Sequence, residues 1–173
     1  AQAYSGWARG RDNHGELPAP VWVIFLLEKL KGALAKRPSK RIAFFVDGPN
    51  MIRKEFNIDL VSVKKKLEKH GTIKVCKVFL DQYASDKLIE AVTNQGYEPI
   101  ISTGDVDITL AVDAMSQVFN QNIDVIAIMS RDIDFTPVLV KAKSMGKETI
   151  ILGAEPGFSA ALRNTADLTI MLP

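Results

Sequence analysis

Soft metal ligands are nearly missing from this 173-residue chain: one cysteine, Cys76, and two histidines, His14 and His70. A lone thiol cannot form an internal disulfide, which predicts an intracellular, cytoplasmic setting. Two imidazoles far apart in sequence argue against a zinc site and against a Ser-His-Asp triad. A glycine-rich phosphate loop is also missing. The longest apolar run, Val21–Leu27, falls well short of the ~18 residues that suggest a membrane span, and Glu28, Lys29 and Lys31 follow it at once. No membrane partner is expected. Strong charge of one sign is absent too, since the net charge is +2. Residues 1–40 hold seven Lys/Arg against three Asp/Glu, whereas residues 41–173 hold fifteen against seventeen. The larger part is therefore mildly acidic, and a basic face covering the whole protein is excluded. What remains is the composition of a globular protein, 47% hydrophobic and 24% charged. At this length one domain is expected, with a core that needs no cross-links.

Residues 1–20 mix Gly, Ser, Arg, Asn and Pro without periodicity and read as a tail. From Val21 to about Ala35, Val23, Leu26, Leu27, Leu30 and Leu34 share one helical face. Residues 1–40 are thus expected to be a basic tail and an amphipathic helix. That helix would pack on the domain or on a second copy, giving a homodimer; the other reading is a membrane-surface or partner helix.

From Arg41 on, short strands and helices alternate. Ile42–Val46 and Ile123–Met129 are all-apolar runs, the mark of strands covered on both faces. Thr72–Leu80, Tyr97–Ile101, Thr149–Leu152 and Leu168–Met171 read as further strands, the last at an edge. Helices are predicted over Asp59–Lys69, Ser85–Gln95, Val106–Phe119, Phe135–Met145 and Pro156–Arg163, with Gly71, Gly96 and Gly146 as stops. In Val106–Phe119, Ile108, Val112, Met115 and Phe119 are spaced for one side. This alternation predicts an α/β fold with a central, mostly parallel sheet.

On that map Asp47 follows the first strand, Asp105 and Asp107 open a helix, and Asp132 and Asp134 follow the second all-apolar strand. Ligands of open α/β sheets bind beyond the carboxyl ends of the strands, where the strand order reverses. If the two apolar strands are adjacent, Asp47 and Asp132 meet there. Several ionised carboxylates in one crevice repel each other and call for a cation. Oxygen ligands suit Mg²⁺ or Mn²⁺, and such a site suits phosphoryl chemistry. Each Asp taken alone also reads as a turn or helix cap.

The segments FFVDGPNM, GDVDITLAVDAM and MSRDIDFTPVLVKAKSMGKETIILG resemble, in that order, the NYN domain, a branch of the PIN-like nuclease superfamily. The resemblance covers about residues 41–172. It implies a three-layer PIN-like, Rossmann-like fold and metal-dependent cleavage of RNA, with Mg²⁺ or Mn²⁺ as cofactor. It matches Asp47, Asn50, Asp107, Asp132 and Asp134 to catalytic positions, the four Asp to the metal. Asp113 matches the supporting acid further down the helix, and Ser130 the hydroxyl before the last acids. Two positions depart from the pattern. A Lys-Gly before the helix is replaced here by Thr103-Gly104-Asp105, and a Gly after Ser130 by Arg131.

The leading expectation is a Mg/Mn-dependent ribonuclease acting on single-stranded RNA. Ser130, Arg131 and Arg53 would contact substrate, with Lys54, Lys64–Lys66 and the ring of Tyr83 as further candidates. A non-catalytic RNA- or protein-binding module with the same fold is the alternative. A haloacid-dehalogenase-type phosphatase would want an Asp where Pro49 stands, and a receiver domain would want a Lys after the fifth strand, where ILGAEPG has none.

Overall fold

Apolar runs without polar alternation become the middle of the sheet. In the computed structural model, which describes residues 19–34, 39–53, 56 and 58–173, six strands form one sheet: β1 (Arg41–Asp47), β2 (Thr72–Asp81), β3 (Glu98–Ser102), β4 (Val125–Met129), β5 (Glu148–Gly153) and β6 (Leu168–Met171). Their order is β3-β2-β1-β4-β5-β6, and every neighbouring pair is parallel. β1 and β4 are adjacent, with Ile42 opposite Val125 and Val46 opposite Met129. The chain builds outward from β1 to β3, then crosses back to β4 and builds outward the other way. The strand order therefore reverses between β1 and β4, where their two exits leave a crevice that no crossover covers.

Helices cover both faces, as an all-parallel sheet requires. They are α2 (Gly48–Met51), α3 (Leu60–Glu68), α4 (Asp86–Asn94), α5 (Val106–Val118), α6 (Thr136–Ser144) and α7 (Ala160–Thr165), following α1 (Val21–Leu34). Alternate strand residues feed two cores. Ile42, Phe44 and Val46 of β1 pack with Leu60, Val63 and Leu67 of α3 and Val92 of α4. Ala43 and Phe45 point the other way, to Leu110 and Ala114 of α5, Leu139 of α6 and Leu162 of α7. Each such aliphatic or aromatic side chain contributes roughly 1.5–3 kcal/mol on full burial. The fold is the expected three-layer α/β arrangement.

The chain divides into two units, Ala1–Pro38 and Ser39–Pro173. The first unit contains α1, whose first turn is closed by Val23 N donating to Pro20 O at 2.7 Å. The expected tail over residues 1–18 lies outside the described residues.

The turn after β1 is a single helical turn, α2, with Asp47 as its N-cap. Two local expectations are corrected. The last helix starts at Ala160, not Pro156, because Gly157 adopts φ 90° and breaks helical continuity, leaving Ser159 to cap. In α5 the stripe of Ile108, Val112 and Phe119 faces solvent, 63%, 66% and 56% exposed, while Leu110, Ala114 and Val118 are buried. The small Ala114 lets the helix approach the sheet closely, so the bulkier stripe is the outer one.

Candidate active site

The strand exits and the helix starts supply the acids together. Asp47, Asp105 and Asp132 are each the N-cap of the segment that follows a strand. Asp47 Oδ1 accepts from Asn50 N at 3.2 Å, Asp105 Oδ1 from Asp107 N at 2.9 Å, and Asp132 Oδ1 from Asp134 N at 3.0 Å. Capping fixes each carboxylate at the carboxyl edge of the sheet. Gly48 holds the first of these turns against β2. A Cβ there would stand 2.5 Å from the carbonyl oxygen of Phe79 and 2.6 Å from the Leu80 side chain.

A crevice of about 370 Å³ lies at this edge, lined by Asp47, Asn50, Asp81, Asp105, Asp107 and Asp132, with Pro49, Arg53 and Val106. Five carboxylates from the ends of β1, β2 and β4 and the start of α5 therefore share one space. A second hollow, about 420 Å³, adjoins it through the common residues Asn50 and Asp132 and is completed by Arg131, Ile133, Gly157 and Ser159.

Ser130 is the joint between two of the acids. Its hydroxyl is fully buried, donates to Asp47 Oδ2 at 2.8 Å and accepts from Asp132 N at 3.1 Å. Asp47 itself is 1% exposed. Burial pushes its carboxyl above the ordinary range; the bonds from Ser130 and Asn50 N pull it back, and the charge of Asp132 raises it further. Asp107, only partly buried, is pushed up to about 6, first by desolvation and then by the charges of Asp47, Asp132, Asp105 and Asp134. The acids are thus an electrostatically strained set, which fits a hard divalent cation. As they stand, no three His, Cys, Asp or Glu among the described residues are gathered tightly enough to hold an ion.

The crevice unites Asp47, Asn50, Asp107, Asp132 and Arg53 of the expected site. Arg53 is exposed at its rim, with Nε donating to Pro49 O at 2.7 Å. The other expected residues lie elsewhere. The Ser130 hydroxyl is buried beneath the crevice and committed to the two acids. Asp134 is exposed and does not line the crevice; its backbone caps onto Asp132. Asp113 is turned to Lys77, whose Nζ lies 2.6 Å from Asp113 Oδ2, in a pair only 19% and 21% exposed. Arg131 lines the adjoining hollow rather than the acid crevice, with its guanidinium on Asn50 and Pro156. Lys54 lies outside the described residues, and Lys64 is taken up by Gly96 O and the Tyr97 ring.

A family model described as NYN domain matches residues 41–172. The chain belongs to the NYN domain family. The NYN domain carries a PIN-like, nuclease-type fold. An uncharacterised protein of Methanocaldococcus jannaschii is 57% identical over 140 residues, which cover 81% of this chain and 58% of that relative's length. A solved structure of a protein of unknown function from Vibrio parahaemolyticus shares the fold, with TM-score 0.69 and 18% identity, over 78% of this chain and 94% of that one. No described helix of this NYN domain protein is long and apolar enough to cross a membrane.

Sequence reading missed Asp81 as a wall of the NYN crevice, although the signal was present: like Asp47 it is the acid that ends a strand. Asp105 was seen as an added charge but not assigned to the site. Asp105, the N-cap of α5, lines the same crevice as Asp107.

Proposed function

We propose that this NYN domain is a divalent-metal-dependent ribonuclease that hydrolyses phosphodiester bonds of single-stranded RNA. The observation that carries the reading is the convergence of Asp47, Asp81, Asp105, Asp107 and Asp132 on one crevice at the switch point of the sheet. Asp47, Asp107 and Asp132 would hold Mg²⁺ or Mn²⁺. Bound there, the cation would lower the pKa of a water molecule and offset charge developing on the phosphate. The chain's own part is to fix the carboxylates through Ser130 and the caps, and to offer donors to the substrate. The Asn50 amide would hold a phosphate oxygen or orient the attacking water. Arg53, at the rim, would contact a neighbouring phosphate, which makes binding salt-dependent. Tyr83, 83% exposed just beyond β2, offers a ring for an unpaired base. A crevice of this size suits a single strand better than a duplex of A-form width. Residues outside the matched region, including α1, would serve self-association.

A non-catalytic RNA- or protein-binding module is the second reading, favoured by the carboxylates not being gathered tightly enough to grip an ion. The two readings separate on labelled single-stranded RNA with Mn²⁺ or EDTA. The nuclease reading expects Mn²⁺-dependent cleavage that Asp47→Asn abolishes. Equal degradation by wild type and Asp47→Asn assigns the cleavage to a contaminant, and retention of RNA without cleavage supports the binding module.

A further inference from the structure

Arg131 stands in the loop after β4, and the protein itself takes up its guanidinium. Nε donates to Asn50 Oδ1 at 3.0 Å, a terminal nitrogen donates to the Pro156 carbonyl, and the guanidinium carbon lies 4.4 Å from the centroid of the Phe56 ring. Its own carbonyl accepts from Ser159 N at 3.3 Å. One side chain thus ties together the turn after β1, the segment at Phe56 and the loop between β5 and α7.

A guanidinium carries donors only. The atom of Asn50 facing Nε must therefore be the oxygen, whichever way the amide would otherwise turn. Asn50 lines both the Arg131 hollow and the acid crevice. With Oδ1 committed to the hollow side, Nδ2 is left for the crevice side. An amide flipped the other way would present a carbonyl oxygen to a space already crowded with carboxylates, where it could neither hold a phosphate oxygen nor relieve the repulsion.

We propose that Arg131 is a positioning residue: it locks the Asn50 amide with its NH₂ group toward the acid crevice, and it does not itself take a substrate phosphate. This rests on the nuclease reading and changes the expected part of Arg131 within it. Phosphate binding would require the guanidinium to give up its bonds to Asn50 and Pro156 and its contact with Phe56.

The test uses the full chain with Mn²⁺ and labelled single-stranded RNA, comparing wild type with Arg131→Ala, Arg131→Lys, Asn50→Ala and the Arg131→Ala/Asn50→Ala pair. Misplacement of a positioned group lowers the rate on the order of tenfold to a hundredfold. Arg131→Ala is expected to lower kcat in that range with KM and its salt dependence unchanged, and Arg131→Lys not to rescue it, since an ammonium lacks the planar fork. The double variant should be no slower than Asn50→Ala alone. A rise in KM with a flatter salt dependence in Arg131→Ala makes it a phosphate ligand and overturns the proposal, as do losses that multiply in the double variant. A second measurement does not depend on activity or on replacing Arg131. In ¹H–¹⁵N spectra, Asn50→Ala should shift the Arg131 Nε–H signal and increase its solvent exchange; an unmoved signal overturns the contact. A wild type without Mn²⁺-dependent cleavage fails the nuclease reading and the catalytic part of this proposal with it, whereas an active wild type with independent losses fails this proposal alone.

Discussion

Replacing Ser130 by Ala removes one oxygen from a position with no solvent access, and two groups lose their partner at once. Asp47 Oδ2 loses the hydroxyl at 2.8 Å, and the amide of Asp132 loses its acceptor at 3.1 Å. A buried hydrogen bond to a charged group is worth about 1.5–3 kcal/mol, and water cannot replace the donor at a fully buried site. A loss of about 2–3 kcal/mol at neutral pH follows, read by urea denaturation at constant m. The pH dependence carries a sign. Burial already raises the Asp47 carboxyl above its unfolded value, so its contribution to stability is present at low pH and is lost as the pH rises through the folded pKa. The Ser130 bond opposes that rise, and removing it raises the folded pKa further. The deficit of Ser130→Ala is therefore largest where Asp47 is ionised and shrinks as the pH falls and Asp47 protonates. In an Asp47→Asn background the same substitution should cost at least about 1 kcal/mol less. A loss below about 0.5 kcal/mol, or one that is the same in both backgrounds, would falsify the view that this hydroxyl holds the carboxylate.

Asp107→Asn should stabilise the metal-free chain at neutral pH. A carboxyl at about 6 rather than 3.8 corresponds to ~3 kcal/mol if unscreened, and partial exposure reduces this to ~1 kcal/mol. With the folded pKa above the unfolded one, Asp107 favours the fold at low pH, and that contribution fades as the pH rises through about 6. Thermal melts in EDTA should thus show the Asn variant ahead at neutral pH and level near pH 4, and a variant no more stable at neutral pH contradicts the repulsion. Gly48→Ala should cost about 1–3 kcal/mol in chemical denaturation through overpacking, because its methyl meets the Phe79 carbonyl; a neutral result would mean that the turn can lift off β2. Asp113→Asn should cost about 1–2 kcal/mol, between exposed and buried ion pairs, with RNA cleavage within about twofold of wild type, since the carboxylate serves Lys77 and not the crevice. Burial pushes the Cys76 thiol up to about 11, so labelling by a thiol reagent should be slow in the native protein at neutral pH and fast once it is unfolded in urea.

The sheet was legible because its two central strands are unbroken apolar runs, and the reversal of strand order between them needed only the alternation of elements. The helices were legible in position but less so in orientation. In α5 both sides are apolar, so periodicity favoured the bulkier stripe. The face that packs is set by Ala114, whose small size matters only once a sheet lies beneath it. The crevice was readable wherever an acid ended a strand, as at Asp47 and Asp132. Asp81 obeys the same rule and escaped notice because its strand carries Lys74 and Lys77, is only partly buried over its first half, and does not stand out as central. For Ser130, Asp113 and Arg131 the sequence left the surroundings of the side chain open. Sequence gives a residue type, but burial, the nearest counter-ion and the direction of a long side chain belong to the packed protein. The hydroxyl is fully buried, one acid is paired with Lys77, and the guanidinium bonds Asn50 and Pro156.

The choice between cap and ligand, which looks like an alternative in the sequence, dissolves in the structure. Asp47, Asp105 and Asp132 are caps, each with Oδ1 on a backbone N–H of its own turn. A cap uses one oxygen and fixes the plane of the carboxylate, and the strand exit fixes its place. That holds negative charge at the switch point at no cost in side-chain freedom beyond what the helix start already required. Asp107 differs: it lies in the first turn of α5, caps nothing, and takes the repulsion of the others. Asp81 Oδ1, like those caps, accepts from Tyr83 N at 2.8 Å in its own turn, so local folding signals alone account for four of the five acids in the crevice. Asp107 is the one whose position works against the stability of the metal-free fold, and with no capping role to confound the result its removal best distinguishes a working metal site from a set of caps.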